Sequence, residues 1–353
     1  MSETVVIGAG LAGLAFAAAA RQSGVEVEVR EERAELGGGA GLTIWPNALV
    51  ALDTLGLGEA VRDLGEPAAS GVIRRGDGSL VRRLDPIATM RALGEPARVV
   101  DRGELQALLA RAAGPVRLGA PLGDVAEVDA DFVVGADGFR SVVARHLDPR
   151  LGECPAGYVA WRGVAPVAVD PTTAGVVWGD CAEAGAAPMR GGRTYWFATR
   201  ADGGELDPAD WPEPLPELIV ATPTDQVLRH EMVDRDQPAR WHDDRHVVLG
   251  DAAHAMQPGL GQGGCLALED AVVLAGLWAE HGPGRRTFAE FERRRRRRAT
   301  AAQRSSRAAG KTLHSPRGQL AGTIARRAPE TLALAALARF GSREAGLRAV
   351  GGS

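Results

Sequence analysis

The sequence predicts an α/β fold in which a nucleotide-binding layer of parallel strands is intergrown with an antiparallel sheet, and three observations carry this. Residues 4–29 read as strand, glycine turn, helix and strand. Two later β-rich runs, at 132–135 and 246–249, each lead into an adjacent Asp and Gly, Asp137-Gly138 and Gly250-Asp251, so the chain returns twice to the first layer. Between those runs, residues 157–211 alternate short β-rich stretches with Gly/Pro clusters, as an antiparallel sheet would.

In order along the chain, residues 4–7 are the first strand, 11–23 an Ala-rich helix and 25–29 an alternating strand. After the glycine-rich stretch 37–41, Pro46 and Asn47 open a helix running to about Leu55, because proline is tolerated in a first turn. From 70 to 84, Val72-Ile73 and Leu80-Val81 flank Gly76-Asp77-Gly78, a hairpin pattern. Asp101 caps a helix over 102–112, and 132–135 is a buried strand. Runs at 158–161, 176–178 and 194–199 supply the antiparallel sheet. A helix follows Gly264 through 278, a charged one spans 288–307, and residues beyond 315 are helical with no role legible. This assigns 1–69, 98–153 and 240–310 to the nucleotide domain, 70–97 and 154–239 to a substrate-binding sheet domain, and 311–353 to a C-terminal helical segment.

The 353 residues, 45% of them hydrophobic and 24% charged, suffice for a sizeable core, and a net charge of -4 provides no global field for nucleic acid or an anionic membrane. The apolar run 5–20 has no basic stretch before it and is broken by glycines, so it reads as strand, turn and helix rather than a secretion signal. Uninterrupted apolar stretches of bilayer-spanning length are absent, and no stable membrane association is expected. Three cysteines without metal-ligand spacing fit a reducing compartment, hence a cytoplasmic protein. The run Arg293 to Arg298 spreads around a helix and has no interleaved aromatics, so it does not read as a nucleic-acid patch.

Three blocks carry chemistry. Gly8-Ala9-Gly10-Leu11-Ala12-Gly13 joins a strand to a helix, where glycines admit a pyrophosphate and the helix N-terminus stabilises its charge. Glu31, 18 residues after Gly13, is the candidate ribose acid, with Glu32 as its rival. The second block is Asp131 to Ser141, containing Gly135-Ala136-Asp137-Gly138; the third is Gly250-Asp251-Ala252-Ala253-His254 with Pro258 and Gly261-Gln262-Gly263-Gly264. A carboxylate such as Asp251 suits a polyol because it accepts hydroxyl protons, and the glycines can present N–H groups to phosphate or carbonyl oxygens. His254 is read as a structural hydrogen-bonding residue rather than a base, and Cys265 as a small packed thiol.

In this order and spacing the blocks resemble the FAD-dependent aromatic hydroxylases, the single-component flavoprotein monooxygenases of para-hydroxybenzoate hydroxylase type, over most of residues 3–310. The resemblance implies a Rossmann-like FAD-binding domain with FAD bound by Gly8, Gly10, Leu11, Ala12, Gly13, Glu31, Arg102, Asp137, Asp251, Pro258, Gly261, Gly263 and Gly264. Asp137 would lie where FAD and the nicotinamide donor meet, Asp251 on the ribityl chain, and Arg102 beside FAD. Pro258 and Tyr195 would position substrate against the flavin; Tyr158 is the other candidate tyrosine. The implied activity is insertion of one oxygen atom from O2, by way of a flavin hydroperoxide, into a small aromatic or conjugated organic substrate, with NADH or NADPH as transient reductant. The protein would be a monomer or homodimer. No metal is implied. A related FAD-dependent reductase or dehydrogenase, or a non-catalytic flavoprotein, is the alternative.

Overall fold

A computed structural model describes residues 3–68, 71–201 and 203–351. The boundary expected at 69/70 therefore falls outside the described residues. The Thr4–Ile7 strand lies inside a five-stranded, wholly parallel sheet between Phe132–Gly135 and Glu28–Arg30, with His246–Val248 and Val116–Arg117 at its edges. Its four residues are all buried, as expected of a strand covered on both faces. The second strand starts at Glu28 rather than at 25, because the Val25 N–H is taken by the Ala20 carbonyl at the end of the Leu11–Gln22 helix. That helix packs against Gly263–His281 and Arg102–Ala113, and together they form the main core.

The second layer has seven strands in the order Leu228–Arg235, Glu153–Ala165, Arg193–Arg200, Ala182–Met189, Gly175–Trp178, Val72–Arg75 and Leu80–Arg83. All neighbours are antiparallel except Gly175–Trp178 beside Val72–Arg75, which run parallel. Strand alternation sets its two faces. Val159, Trp161, Ala184 and Trp196 pack with Leu215 and Leu218 of the Leu215–Ala221 helix in a separate core. Tyr195 and Phe197 lie on the opposite face, as the alternation requires. The Ala-rich strand Ala182–Met189 and the polar Leu228–Arg235 lacked the β-branched runs that mark the others.

A small sheet of Gly41–Ile44, Arg98–Asp101 and Glu66–Pro67 lies between these layers in the chain order. Asp101 caps the Arg102–Ala113 helix by accepting the Gly103 and Glu104 N–H groups. The C-terminal helices Arg317–Arg327, Glu330–Gly341 and Arg343–Gly351 tie the parts together. Arg82 of the outer strand donates to the carbonyls of Ala325 and Ala328. Arg343 pairs with Asp53 and Glu95, and a Cβ on Gly346 would come within 2.7 Å of the Asn47 backbone. No helix among the described residues is long and apolar enough to cross a membrane.

Candidate active site

The glycine turn is closed on one side and open on the other. Gly8 adopts φ +101°, and a Cβ there would lie 2.4 Å from the Ala136 carbonyl oxygen; one on Gly13 would lie 2.0 Å from the Gly8 oxygen. A Cβ on Gly10 would meet nothing within 4 Å. The Leu11–Gln22 helix that starts here has no side chain capping its N-terminus and no acid in its first turn. The N–H groups of Leu11, Ala12 and Gly13 and the positive end of the helix dipole are therefore available to an anion beside Gly10.

Glu31 is 9% exposed, and its carboxylate accepts the Ala9 N–H at 2.7 Å and the Arg33 N–H at 3.1 Å. It shapes the turn as well as ending the second strand; Glu32 is exposed. Gln106, which sequence reasoning missed, donates to the Ala9 carbonyl at 2.7 Å and accepts the Gly37 N–H at 3.0 Å. It thereby joins the turn to the glycine-rich stretch 37–41, where a Cβ on Gly39 would press on Arg102. Arg102 is exposed and its guanidinium has no hydrogen-bond partner among the described residues.

The third block meets the first. Gly250 takes φ +59° and packs so closely on Ala12 that a Cβ would come within 2.9 Å, and Gly264 adjoins Leu11 and Leu42. Asp251 is exposed, its carboxylate close to Gly263 and without a hydrogen-bond partner among the described residues. Gly261 takes φ +61° against the Trp45 indole nitrogen, and the Gly263–His281 helix again has no side-chain cap. Pro258 opens the short Pro258–Leu260 turn and is exposed.

A buried charge network supports this loop. His254 and Asp270 are 0% exposed; Asp270 accepts the Gly250 N–H at 3.1 Å, contacts His254 Nε2 at 2.5 Å and accepts Arg295 Nε at 2.6 Å. Burial pushes the Asp270 carboxyl up, but His254 and Arg295 outweigh it and hold the group at about 2. Glu269 accepts from Arg295, Arg298 and Asn47, and Asn47 also donates to Gln262 at 3.1 Å. His254 thus has the structural place expected of it. The arginine run spreads around its helix, and one member turns inward: Arg295 is 1% exposed and fully paired. Cys265 is buried, and burial raises its thiol to about 12.

The Asp137 side chain is held within its own loop. Its carboxylate accepts Ser141 Oγ at 2.5 Å, Val142 N at 2.7 Å and Val143 N at 3.3 Å at the head of the Val142–Leu147 helix. Burial raises its carboxyl above the ordinary range despite these bonds. Arg235, 4% exposed at the end of the seven-stranded sheet, donates to the carbonyls of Phe139 at 2.9 Å and of Asp251 at 2.8 Å. One arginine thus fixes both Asp-Gly loops to the second layer.

On the sheet's open face, Tyr195 and Phe197 line a cavity of about 150 Å³ with Thr43, Val176 and Pro188. Tyr195 packs on Gly41, where a Cβ would come within 2.5 Å of its ring. Tyr158 stacks on His314 at 3.7 Å and donates to Gln257 at 3.4 Å, next to Pro258. The two candidate tyrosines therefore stand at different ends of the face, Tyr195 by the small sheet and Tyr158 by the loop. Glu183, on this strand layer, is raised by burial to about 7. Nothing in the sequence marked Gln106 or Arg235, because each acts through residues far away in the chain, and nothing marked Glu183, because its burial is set by the packing of the sheet.

Residues 1–309 match the family described as "FAD binding domain". The chain is 35% identical over 302 residues to aurachin C monooxygenase/isomerase of Stigmatella aurantiaca, covering 77% of this chain and 79% of that protein. It is 32% identical over 350 residues to 3-amino-4-hydroxybenzoate 2-monooxygenase of Streptomyces cremeus, covering 89% and 88%. Its fold superposes on the crystal structure of a Klebsiella pneumoniae HpxO variant complexed with FAD with a TM-score of 0.85 and 25% identity, covering 97% of this chain and 99% of that one. An open glycine turn facing an uncapped helix and a free acid near a second uncapped helix suit the pyrophosphate and polyol of a dinucleotide, and with these matches they place the chain in the FAD-binding-domain family, as an FAD-dependent monooxygenase of aromatic hydroxylase type.

Proposed function

We propose that the protein takes electrons from NADH or NADPH and inserts one oxygen atom of O2 into a small aromatic or conjugated substrate bound on the Tyr195 face of the seven-stranded sheet. In this reading the open side of Gly10, flanked by Gly8 and Gly13 and the N–H groups of Leu11 and Ala12, takes the FAD pyrophosphate. Glu31 takes a ribose hydroxyl, Asp251 the ribityl chain, and Gly261, Gly263 and Gly264 the phosphate or flavin carbonyls. Arg102 and Asp137 flank the cofactor, Tyr195 walls the substrate cavity at the small-sheet end of the face, and Pro258 bounds that face from its loop end. The domain bounds given above and a cytoplasmic location belong to the same proposal.

Electron transfer and dioxygen activation are chemistry that FAD supplies when bound. The chain's own work is to hold cofactor and substrate in register and keep water from the reacting atoms. The observation that carries the reading is the cavity beside Gly41–Ile44, which brings an apolar, Tyr195-walled space next to the glycine-rich stretch at the dinucleotide site. The relative named for 3-amino-4-hydroxybenzoate acts on a hydroxylated ring, the class proposed here.

The test is an aerobic screen of NADH and NADPH oxidation with phenols, hydroxyquinolines, indoles and purines under ¹⁸O₂. A substrate-stimulated rate with one ¹⁸O atom in the product is expected. Stimulated oxidation that leaves every substrate without added oxygen would show a reductase instead.

A further inference from the structure

We propose that His146, Asp243 and His246 form a binding site for a divalent transition-metal ion of the zinc type, at the end of the parallel sheet away from the glycine turn. His146 is in the last turn of the Val142–Leu147 helix, Asp243 in the turn before the His246–Val248 strand, and His246 is that strand's first residue. One ring nitrogen of each histidine and an Asp243 oxygen all lie within 4.8 Å of one another.

Backbone geometry builds this cluster. Asp243 Oδ1 accepts the N–H groups of Arg245 at 2.8 Å and His246 at 2.7 Å, which fixes the carboxylate. Its Oδ2 stands 3.0 Å from His246 Nδ1 and 3.7 Å from His146 Nε2. In a tetrahedral zinc shell, with bonds of about 2.0–2.1 Å, neighbouring donor atoms are roughly 3.3 Å apart. The Asp243–His246 pair is already within a few tenths of an ångström of that spacing. His146 needs only a small shift, and its side chain, 42% exposed at a helix end, is free to make it.

The donor set is two imidazoles and one carboxylate, which favours zinc, cobalt, nickel or copper over magnesium or calcium. The local cations do not block it: the Arg245 guanidinium is committed to the carbonyls of Ala130 and Val128, and Arg285 to Asp244. The exposed side of His146 leaves a position for water or a further ligand. The two N–H groups on Asp243 are the outer contacts that orient a metal-binding carboxylate. His246 Nε2 is buried without a hydrogen-bond partner, and it is Nδ1 that faces the Asp243 carboxylate. The Val142–Leu147 helix and the His246–Val248 strand carry Asp137 and Asp251 at their other ends. An ion here would cross-link the two segments that present those acids, and its binding rests on neither the flavin nor the substrate.

The test uses full-length, tag-free protein freed of metal with a chelator and titrated with Zn²⁺ by calorimetry. Wild type and a His281→Ala control should bind one equivalent and gain thermal stability. His146→Ala, at an exposed position, and Asp243→Asn should each weaken binding about tenfold or more. Absence of binding to the wild type, or affinity reduced less than about threefold in either variant, would overturn the proposal.

Discussion

The parallel-sheet side and the seven-stranded side of the molecule offer a ligand different things. Around Gly10, Gly250 and Gly263 the recognition surface is backbone: uncapped helix ends, an open position at Gly10 framed by Gly8, Gly13 and Gly250, which are packed too tightly for a Cβ, and the exposed Asp251 carboxylate. Around Tyr195 it is side chains standing on alternate positions of strands, with few charges. The first arrangement suits a fixed cofactor, because backbone groups cannot be moved without changing the fold. The second suits a variable substrate, because a face of side chains can be altered residue by residue. The supports differ too: under the first lie the fully buried Glu269, Asp270 and Arg295 with their partners, under the second an apolar core with Trp196.

The network is where this contrast should be easiest to break. Arg295→Ala leaves Glu269 and Asp270 buried with a partner removed, and a loss of roughly 3–5 kcal/mol in urea unfolding is expected. A loss below about 1 kcal/mol would mean that the network does not support the loop.

Gly13→Ala places a Cβ 2.0 Å from the Gly8 oxygen, while Gly10→Ala places one in open space. Gly13→Ala should cost about 1–3 kcal/mol of stability in the FAD-free chain and Gly10→Ala little, since overpacking is felt only where backbone cannot yield. Both should weaken FAD binding, Gly10→Ala by obstructing the ligand alone. Calorimetric unfolding with and without FAD separates the two effects.

On the sheet side the expected effect is smaller and depends on pH. Glu183 is raised from 4.5 to about 7 in the folded chain, so the native state holds its proton more tightly than the unfolded state does. Its contribution is full below the unfolded value and declines as pH rises from about 4.5 to about 7. Glu183→Gln should remove that decline, at most about 3 kcal/mol, and flatten stability across the window. An unchanged pH profile would show that Glu183 is better solvated than its burial implies.

The legibility of the two sides follows from the same difference. The glycine turn, the Asp-Gly strand ends, the cap at Asp101 and the first-turn proline Pro46 are local devices, so residue order alone revealed them and the structure brings Gly8, Gly13, Glu31, Arg102, Asp251 and Gly264 into one region. Gln106, Arg235 and the Asn47–Glu269–Arg298 contacts were invisible because each joins segments far apart in the chain, 69 residues for Gln106 with Gly37 and 222 for Asn47 with Glu269. Arg295 is indistinguishable from its neighbours in the run by residue order; only packing shows which residue of the run turns inward. The Ala182–Met189 strand was missed because small residues carry little β propensity, although they fit where the Leu215–Ala221 helix packs closely.

The most direct test of this division of labour is a paired measurement on Asp251→Ala and Tyr195→Ala: FAD retained per chain, and substrate-stimulated NAD(P)H oxidation with FAD in excess. Asp251→Ala should lose FAD affinity by at least about tenfold with little change in unfolding temperature, since its carboxylate has no partner among the described residues to lose. Tyr195→Ala should keep its FAD and lose the stimulation by substrate. If Tyr195→Ala sheds FAD as readily as Asp251→Ala, or Asp251→Ala keeps it as tightly as wild type, the assignment of cofactor to the glycine side and substrate to the sheet side is contradicted.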